Sequence, residues 1–233
     1  MRHSVLVRIT HWITAVAFLA LLVTGVEILI SHPRFYWGET GNVNEQPLFT
    51  LPIPSSRSTI HNGYATTLPD QNGWSRYLHF EAAWAAVITG VLYAAFGFVR
   101  GHFRENLLPA KTDLSPRRLA RELIRHMRSW KPATDEAWSY NALQRLAYSL
   151  VVFVLFPLII WTGLDMSPAF MSAFPGAVTI LGGRQAARTL HFVVTILLVF
   201  FLVVHVLMVY LAGFRERMGA MITGRLPKTE ERA

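Results

Sequence analysis

Four long apolar segments dominate this sequence and limit the folds that it can adopt. They cover about residues 6–30, 78–99, 143–164 and 187–212. Each is close to the roughly 20 residues that an α-helix needs to cross the hydrocarbon core of a bilayer. Lipid offers the backbone no hydrogen-bond partner, so only helices and closed barrels cross it, and segments this long indicate helices. The sequence therefore predicts an all-α integral membrane protein, a four-transmembrane-helix bundle.

The composition agrees with a membrane protein and excludes several kinds of site. Hydrophobic residues make up 52% of the chain and charged residues 15%, whereas a soluble domain carries roughly 25% charged residues. Cysteine is absent, which excludes disulfides, thiolate metal sites and covalently attached c-type haem. The net charge of +8 lies beside the apolar segments rather than on an interleaved basic and aromatic surface. We therefore expect lipid as a partner and no nucleic acid.

The distribution of lysine and arginine predicts the orientation in the membrane. Nine of these residues lie in segment 100–142 and five in the tail after residue 212, but only two lie in loop 31–75. Cytoplasmic loops carry the excess of positive charge. We therefore expect the N and C termini and the basic loop 100–142 to be cytoplasmic. The chain would then be a multi-pass membrane protein, with residues 1–233 forming a single membrane domain.

The outer loop 31–75 is long for a connection between two helices, and aromatic residues recur in it. These are Phe35, Tyr36, Trp37, Phe49, Tyr64 and Trp74. Connections of this length are usually functional. We therefore expect loop 31–75 to be the docking surface for an extracytoplasmic protein.

Four of the nine histidines lie within or at the ends of the apolar segments: His11, His79, His191 and His205. An ionisable residue in a membrane helix is a functional candidate, although any single histidine can instead hydrogen-bond a neighbouring helix. His191 and His205 are 14 residues apart, which places them within about 40° on one helix face and ~21 Å apart along it. Matching depth then pairs His11 with His205 on the cytoplasmic side and His79 with His191 on the outer side.

Pairs of histidines favour haem over other metal sites. Structural zinc needs four ligands around one point and catalytic zinc needs three with a water, whereas depth separates these histidines two by two. Two axial imidazoles suit an iron whose other four positions are filled by a porphyrin. The sequence thus predicts two non-covalent b-type haems, with His11, His79, His191 and His205 as iron ligands.

Arginines and glycines recur around these histidines at regular spacings. An arginine three residues before a histidine lies one turn nearer the interface on the same face, where it can meet a haem propionate. Arginines also flank membrane helices simply by snorkelling. Gly25 and Gly90 share the faces of His11 and His79 and would let a porphyrin approach the backbone, although glycine is also common at helix contacts in membranes. The arginine repeats are Arg8–His11, Arg76–His79 and Arg188–His191.

Several motifs resemble the four-helix di-haem cytochrome b family of bacterial formate dehydrogenases, nickel–iron hydrogenases and thiosulfate reductases, over essentially the whole chain. The motifs are R-I-T-H-W at Arg8–Trp12, R-Y-L-H at Arg76–His79, R-T-L-H at Arg188–His191 and Y-N-A-L-Q-R at Tyr140–Arg145. The segment H-P-R-F-Y-W-G-E-T-G-N at His32–Asn42 is most similar to the thiosulfate reductase cytochrome b branch. Members of that branch often work with molybdopterin enzymes.

The resemblance implies electron transfer between the quinone pool and an extracytoplasmic redox partner of the molybdopterin type, through two haems in series. It likewise implies a location in the bacterial cytoplasmic (inner) membrane as a multi-pass protein. It also implies a quinone site at the inner haem, formed by Asn141, Gln144 and His205. Amide groups can hydrogen-bond a quinone carbonyl, although Asn141 and Gln144 could instead cap a helix. Two other hypotheses remain open from the residues. One is a self-contained haem enzyme acting on a small molecule such as superoxide, and the other is a membrane anchor without haem.

Overall fold

The computed structural model describes residues 4–42, 44–53, 73–109 and 142–224, together with residues 115, 117, 120, 121 and 124. The helices are α1 (Val5–Ser31), α2 (Trp74–Val99), α3 (Ala142–Leu150), α4 (Phe156–Asp165), α5 (Pro168–Ala173), α6 (Pro175–Ile180), α7 (Arg184–Leu211) and α8 (Phe214–Thr223). Short π-helical turns cover Phe103–Leu107 and Val151–Leu155. Strands β1 (Arg34–Phe35) and β2 (Phe49–Thr50) form an antiparallel pair.

Four helical segments are long and apolar enough to cross a membrane: α1, α2, Leu143–Asp165 and α7. Large apolar side chains on them are exposed, for example Val16 at 67%, Ile88 at 58% and Phe200 at 68%. Such surface is unfavourable in water and is accommodated by lipid. The prediction of a helical membrane protein with four candidate spans is confirmed.

The helices α2 and α7 begin at Trp74 and Arg184, earlier than the apolar segments that predicted them. The physical reason is that hydropathy follows the hydrocarbon core, which is about 30 Å thick, while a helix continues into the polar headgroup layer. The motifs Arg76–His79 and Arg188–His191 therefore lie entirely within helices. The small β1–β2 hairpin was not predicted from the apolar pattern.

The third candidate span is interrupted by the π-helical turn Val151–Leu155, which ends two residues before Pro157. Proline has no amide hydrogen for the carbonyl four residues earlier, and its ring crowds that carbonyl. A π-helical turn widens the helix locally and is one common way for a helix to accommodate such a mismatch.

The chain divides into two compact units, and the first comprises residues 1–12, 90–156 and 197–233. Its aromatic core is centred on the buried Phe103, whose ring meets Tyr93 at 5.5 Å and Phe153 at 5.0 Å between centroids. Gly97 makes room for this ring, because a Cβ atom at Gly97 would overlap it. The segment after α2 is thus packed against the third span.

Two side chains near the start of α1 hold the end of α8 in this unit. Nη1 of Arg8 donates to the carbonyl of Ile222 at 2.7 Å, and Nε1 of Trp12 donates to the carbonyl of Met221 at 3.3 Å. A left-handed Gly213, with φ +98°, separates α8 from α7. These contacts hold the end of α8 close to the turn of α1 that carries His11.

The second unit comprises residues 13–89 and 157–196 and contains the β1–β2 hairpin. Phe35 is buried and stacks on Phe49 at 4.7 Å, and both rings pack against Phe192 of α7. Thr189 donates to the carbonyl of Tyr36 at 2.7 Å. The first part of the outer loop is therefore fastened to α7 directly beside His191.

Candidate haem-binding sites

Within the two units, the structure brings the four candidate histidines together as two pairs. In the first unit, the ring centroids of His11 and His205 are 6.3 Å apart with an interplanar angle of 53°. In the second unit, those of His79 and His191 are 6.4 Å apart with an interplanar angle of 57°. These are the same partners that matching depth in the membrane predicted from the sequence.

The spacing of each pair fits one metal ion held between two imidazoles. A bond from a metal to an imidazole nitrogen is about 2.0–2.1 Å long, and the ring centre lies roughly 1.1 Å beyond that nitrogen, so two opposed ligands have centroids about 6.3 Å apart. Two rings packed directly on each other would be nearer. The observed separations of 6.3 and 6.4 Å match the ligand geometry.

Threonines contact both histidines of the second pair, His79 and His191, which is called the outer pair after its predicted location. Oγ1 of Thr24 lies 2.9 Å from Nδ1 of His79, and Oγ1 of Thr162 lies 3.0 Å from Nδ1 of His191. Both threonines are completely buried. A hydrogen bond to one ring nitrogen orients an imidazole and leaves the other nitrogen, Nε2, as its ligand atom.

The glycine that follows each threonine allows the histidine to approach the helix. A Cβ atom at Gly25 would lie 3.7 Å from Cε1 of His79, and one at Gly163 would lie 3.4 Å from Cε1 of His191. Gly25 thus lies against His79, a candidate ligand, and its own packing against a haem stays a prediction. A Cβ atom at Gly90 meets nothing within 4 Å among the described residues, so space remains beside its backbone in the first unit.

Aromatic rings contact both histidines of the first pair, His11 and His205, which is called the inner pair after its predicted location. The ring of Phe201 stacks on His205 at 5.7 Å with an interplanar angle of 18°, and Trp12 meets His11 edge-on at 5.2 Å. Nδ1 of His11 is buried, with no hydrogen-bond partner among the residues that the structure describes. The apolar surrounding and the ring separation of 6.3 Å suit a bound porphyrin, so the residues present fit haem at both pairs.

The three arginines expected at propionates lie in different surroundings. Arg76 is exposed at the start of α2. Arg8 is half-buried and donates to Ile222, and its buried Nε atom has no partner among the described residues. Arg188 lies over the ring of Phe35, 5.0 Å from its centroid, and its Nη2 donates to the carbonyl of His32. Their role at propionates stays a prediction.

The residues expected to contact quinone are only partly described. Asn141 lies outside the described residues, while Gln144 is half-buried in the first turn of α3. Tyr148, one turn after Gln144, meets the ring of His205 edge-on at 6.3 Å. Sequence reasoning had not considered Tyr148, although its spacing of four from Gln144 was a usable signal.

An internal repeat accounts for the other residues that the sequence reasoning missed. The tetrapeptide T-G-V-E at Thr24–Glu27 corresponds to T-G-L-D at Thr162–Asp165, and R-Y-L-H at Arg76–His79 corresponds to R-T-L-H at Arg188–His191. In each half of the chain, the threonine of the first motif binds the histidine of the second. The repeat of Thr-Gly was therefore the signal for Thr24, Thr162 and Gly163.

A helical membrane protein with two bis-histidine pairs of this geometry is a membrane cytochrome b by class. A sequence model described as prokaryotic cytochrome b561 matches residues 2–224. A relative from Azospira oryzae, named "Putative protein-methionine-sulfoxide reductase subunit YedZ1", is 30% identical over 227 residues, which cover 95% of this chain and 96% of the relative. No solved structure matches the chain significantly. This chain belongs to the prokaryotic cytochrome b561 family.

Family membership confirms the predicted cytochrome b resemblance and the location in the bacterial inner membrane as a multi-pass protein. It also implies haem b as the cofactor and a role as an electron-transfer subunit of a membrane oxidoreductase. The narrower likeness to the thiosulfate reductase branch stays a prediction.

Proposed function

We propose that this protein carries two b-type haems and transfers electrons between the quinone pool and an extracytoplasmic redox protein. The observation that carries the proposal is the presence of two histidine pairs, each with a ring separation that would allow two imidazoles to hold one metal ion between them. When bound, haem supplies reversible one-electron chemistry. His11 and His205 would hold the inner haem, and His79 and His191 the outer one, within a single membrane domain of residues 1–233.

The orientation follows from the positive charge. Nine lysines and arginines in segment 100–142 and five after residue 212 favour a cytoplasmic location for that loop and for both termini. The inner pair then lies on the cytoplasmic side and the outer pair on the opposite side. One helix, α7, contributes a ligand to each pair, which gives the two haems a common scaffold.

The quinone is proposed to bind beside the inner haem, at the start of α3. Gln144 and Tyr148 lie on one face of α3, and Tyr148 contacts His205. An amide and a phenol can each hydrogen-bond a quinone oxygen. Asn141, which lies outside the described residues, is proposed as a third contact. At this position, the α3 residues would orient the quinone. Electrons would then pass between the quinone and the inner haem, which His205 is proposed to hold.

A bound haem needs cations near its propionates and room beside its porphyrin ring, and residues of this chain can provide both. Arg8, Arg76 and Arg188 each lie one turn nearer the interface than a ligand histidine and are proposed to meet propionates. Gly25 and Gly90 are proposed to allow close approach of the porphyrin rings, and the space beside Gly90 supports this.

The extracytoplasmic partner is proposed to dock on loop 31–75. The described part of that loop is fastened to α7, where Phe35 and Phe49 pack on Phe192, directly beside the ligand His191. A folded hairpin beside an outer haem supports transfer to a docked protein rather than an open site for a small substrate. The reductase name of the Azospira relative and the family resemblance together favour a molybdopterin-type oxidoreductase as the partner.

The proposal is tested first by the haem-to-protein ratio and the reduced-minus-oxidised spectrum of the purified chain. We expect two haems per chain, and we expect His11→Ala and His79→Ala each to leave one. A wild-type ratio of one or zero contradicts the two-haem proposal.

Electron transfer is tested in membranes that contain the chain, with a quinol as reductant. We expect quinol to reduce both haems, and Gln144→Leu to slow this reduction while the haem ratio stays at two. Reduction that is unaffected by Gln144→Leu contradicts the proposed quinone site. Steady turnover of superoxide without any protein partner contradicts the proposed relay.

A further inference from the structure

The hydrogen bonds of Thr24 and Thr162 determine which nitrogen of each outer histidine carries its proton. The hydroxyl of Thr24 donates to the carbonyl of Ala20 at 2.7 Å, and that of Thr162 donates to the carbonyl of Leu158 at 2.8 Å. A hydroxyl has one hydrogen, and bonding to the carbonyl one turn earlier is the usual use of it in a helix. The threonine oxygen is then left as an acceptor.

The nitrogen facing an acceptor must be the protonated one. Nδ1 of His79 and Nδ1 of His191 therefore donate to Thr24 and Thr162, at 2.9 and 3.0 Å. Both histidines are thus held in the tautomer whose Nε2 has a free lone pair.

We propose that Thr24 and Thr162 are a matched pair of positioning residues that set the reduction potential of the outer haem. An acceptor at Nδ1 makes the imidazole a stronger electron donor through Nε2, which favours ferric over ferrous iron and lowers the potential. The proposal rests on the proposed function, in that His79 and His191 are taken as the ligands of a haem.

The inner pair provides an internal contrast. Nδ1 of His11 is buried and has no partner among the described residues, so this ligand lacks the acceptor that both outer histidines have. The two pairs have nearly the same ring separation but different support. The threonines consequently offer a way to separate the potentials of two haems that otherwise have the same ligands.

The internal repeat supports a shared role for the two threonines. Each half of the chain provides one Thr-Gly dipeptide and one histidine, and the threonine and the histidine that bind each other come from the same half. Thr89 serves as a natural control. It is buried and also precedes a glycine, and its hydroxyl donates to the carbonyl of Ala85 at 2.6 Å, but it contacts no histidine among the described residues.

The experiment is a redox titration of the purified haem-loaded chain, with spectra recorded for both haems. Valine has nearly the shape of threonine but accepts no hydrogen bond, so we expect Thr24→Val and Thr162→Val each to raise the potential of the outer haem. We expect a change of roughly tenfold in the ratio of ferric to ferrous affinity, which corresponds to about 59 mV for one electron. In both of these variants the potential of the inner haem should match that of the wild type. The control variant Thr89→Val should have the wild-type spectrum.

Conservative variants separate positioning from packing. Thr24→Ser and Thr162→Ser keep the hydroxyl and should retain the wild-type outer potential. If one valine variant loses the outer haem, the other valine variant gives the outer potential that decides the test, because each threonine contacts a different histidine. An outer potential that Thr24→Val and Thr162→Val leave unchanged overturns the inference, as does a serine variant that shifts like the valine variant.

This outcome is distinguishable from failure of the proposed function. If the wild type binds two haems and His79→Ala removes one, the proposed ligation stands whatever the threonine variants do. If the wild type binds fewer than two haems, or His79→Ala removes none, the ligation fails and this inference fails with it.

Discussion

Gly163 offers a direct test of how closely His191 must approach the third span. A Cβ atom there would lie 3.4 Å from Cε1 and 3.7 Å from Nδ1 of His191. A methyl group at that distance makes a contact that is tight but tolerable, and alanine also favours the helix by about 1 kcal/mol over glycine. In valine, two γ-methyl groups extend one bond further from the same Cβ, so the larger side chain must crowd the ring.

The expected cost of Gly163→Val follows from the histidine's fixed position. The ring cannot retreat without lengthening the 3.0 Å contact to Thr162 or the proposed bond from His191 to a haem iron. Overpacking of this kind typically costs 1–3 kcal/mol, and each 1.4 kcal/mol is tenfold in affinity. The dissociation constant of the outer haem should therefore rise by roughly 5- to 150-fold, while Gly163→Ala should bind this haem nearly as tightly as the wild type.

The assay follows transfer of haem from the purified chain to an excess of a haem-scavenging apoprotein. In Gly163→Val, one haem should leave much faster than from the wild type, and the retained haem should have the spectrum of the haem left in His79→Ala. Gly219→Val serves as the matched control, because a Cβ atom at Gly219 meets nothing within 4 Å among the residues that the structure describes. Wild-type retention of both haems by Gly163→Val would refute the reasoning about close approach.

Three further predictions concern the first unit, each measured as a free energy of unfolding in mixed detergent. Gly97→Ala places a methyl group within the ring of Phe103 and should destabilise the chain by about 1–3 kcal/mol; an unchanged stability would contradict the packing described for this ring. Trp12→Phe removes the hydrogen bond to Met221 and should cost about 0.5–1.5 kcal/mol, with faster hydrogen exchange in α8; exchange limited to other helices would contradict the anchoring role. Gly224→Ala forces a residue with Cβ into the left-handed conformation at φ +76° and should cost about 1–2 kcal/mol; a wild-type stability would contradict the left-handed conformation.

The sequence by itself determined the membrane architecture and the positions of the candidate ligands. Hydropathy is a property of the residues of each segment alone, so four apolar segments sufficed to predict the four candidate spans that the structure contains. The spacing of His191 and His205 likewise follows from the helix repeat alone. Loop charge then suggested which histidines share a depth, and the structure brings those same histidines together.

The tertiary structure decided what surrounds each histidine. Thr24 and Thr162 lie 55 and 29 residues from the histidines that they contact, and such a contact depends on the rotation of two helices about their own axes. Hydropathy gives almost no information about that rotation where lipid and the protein interior are both apolar. The approach of Tyr148 to His205 and the docking of Phe35 on Phe192 arise in the same way. The pattern along the chain predicts depth in the membrane, whereas only packing between helices decides which polar atoms meet.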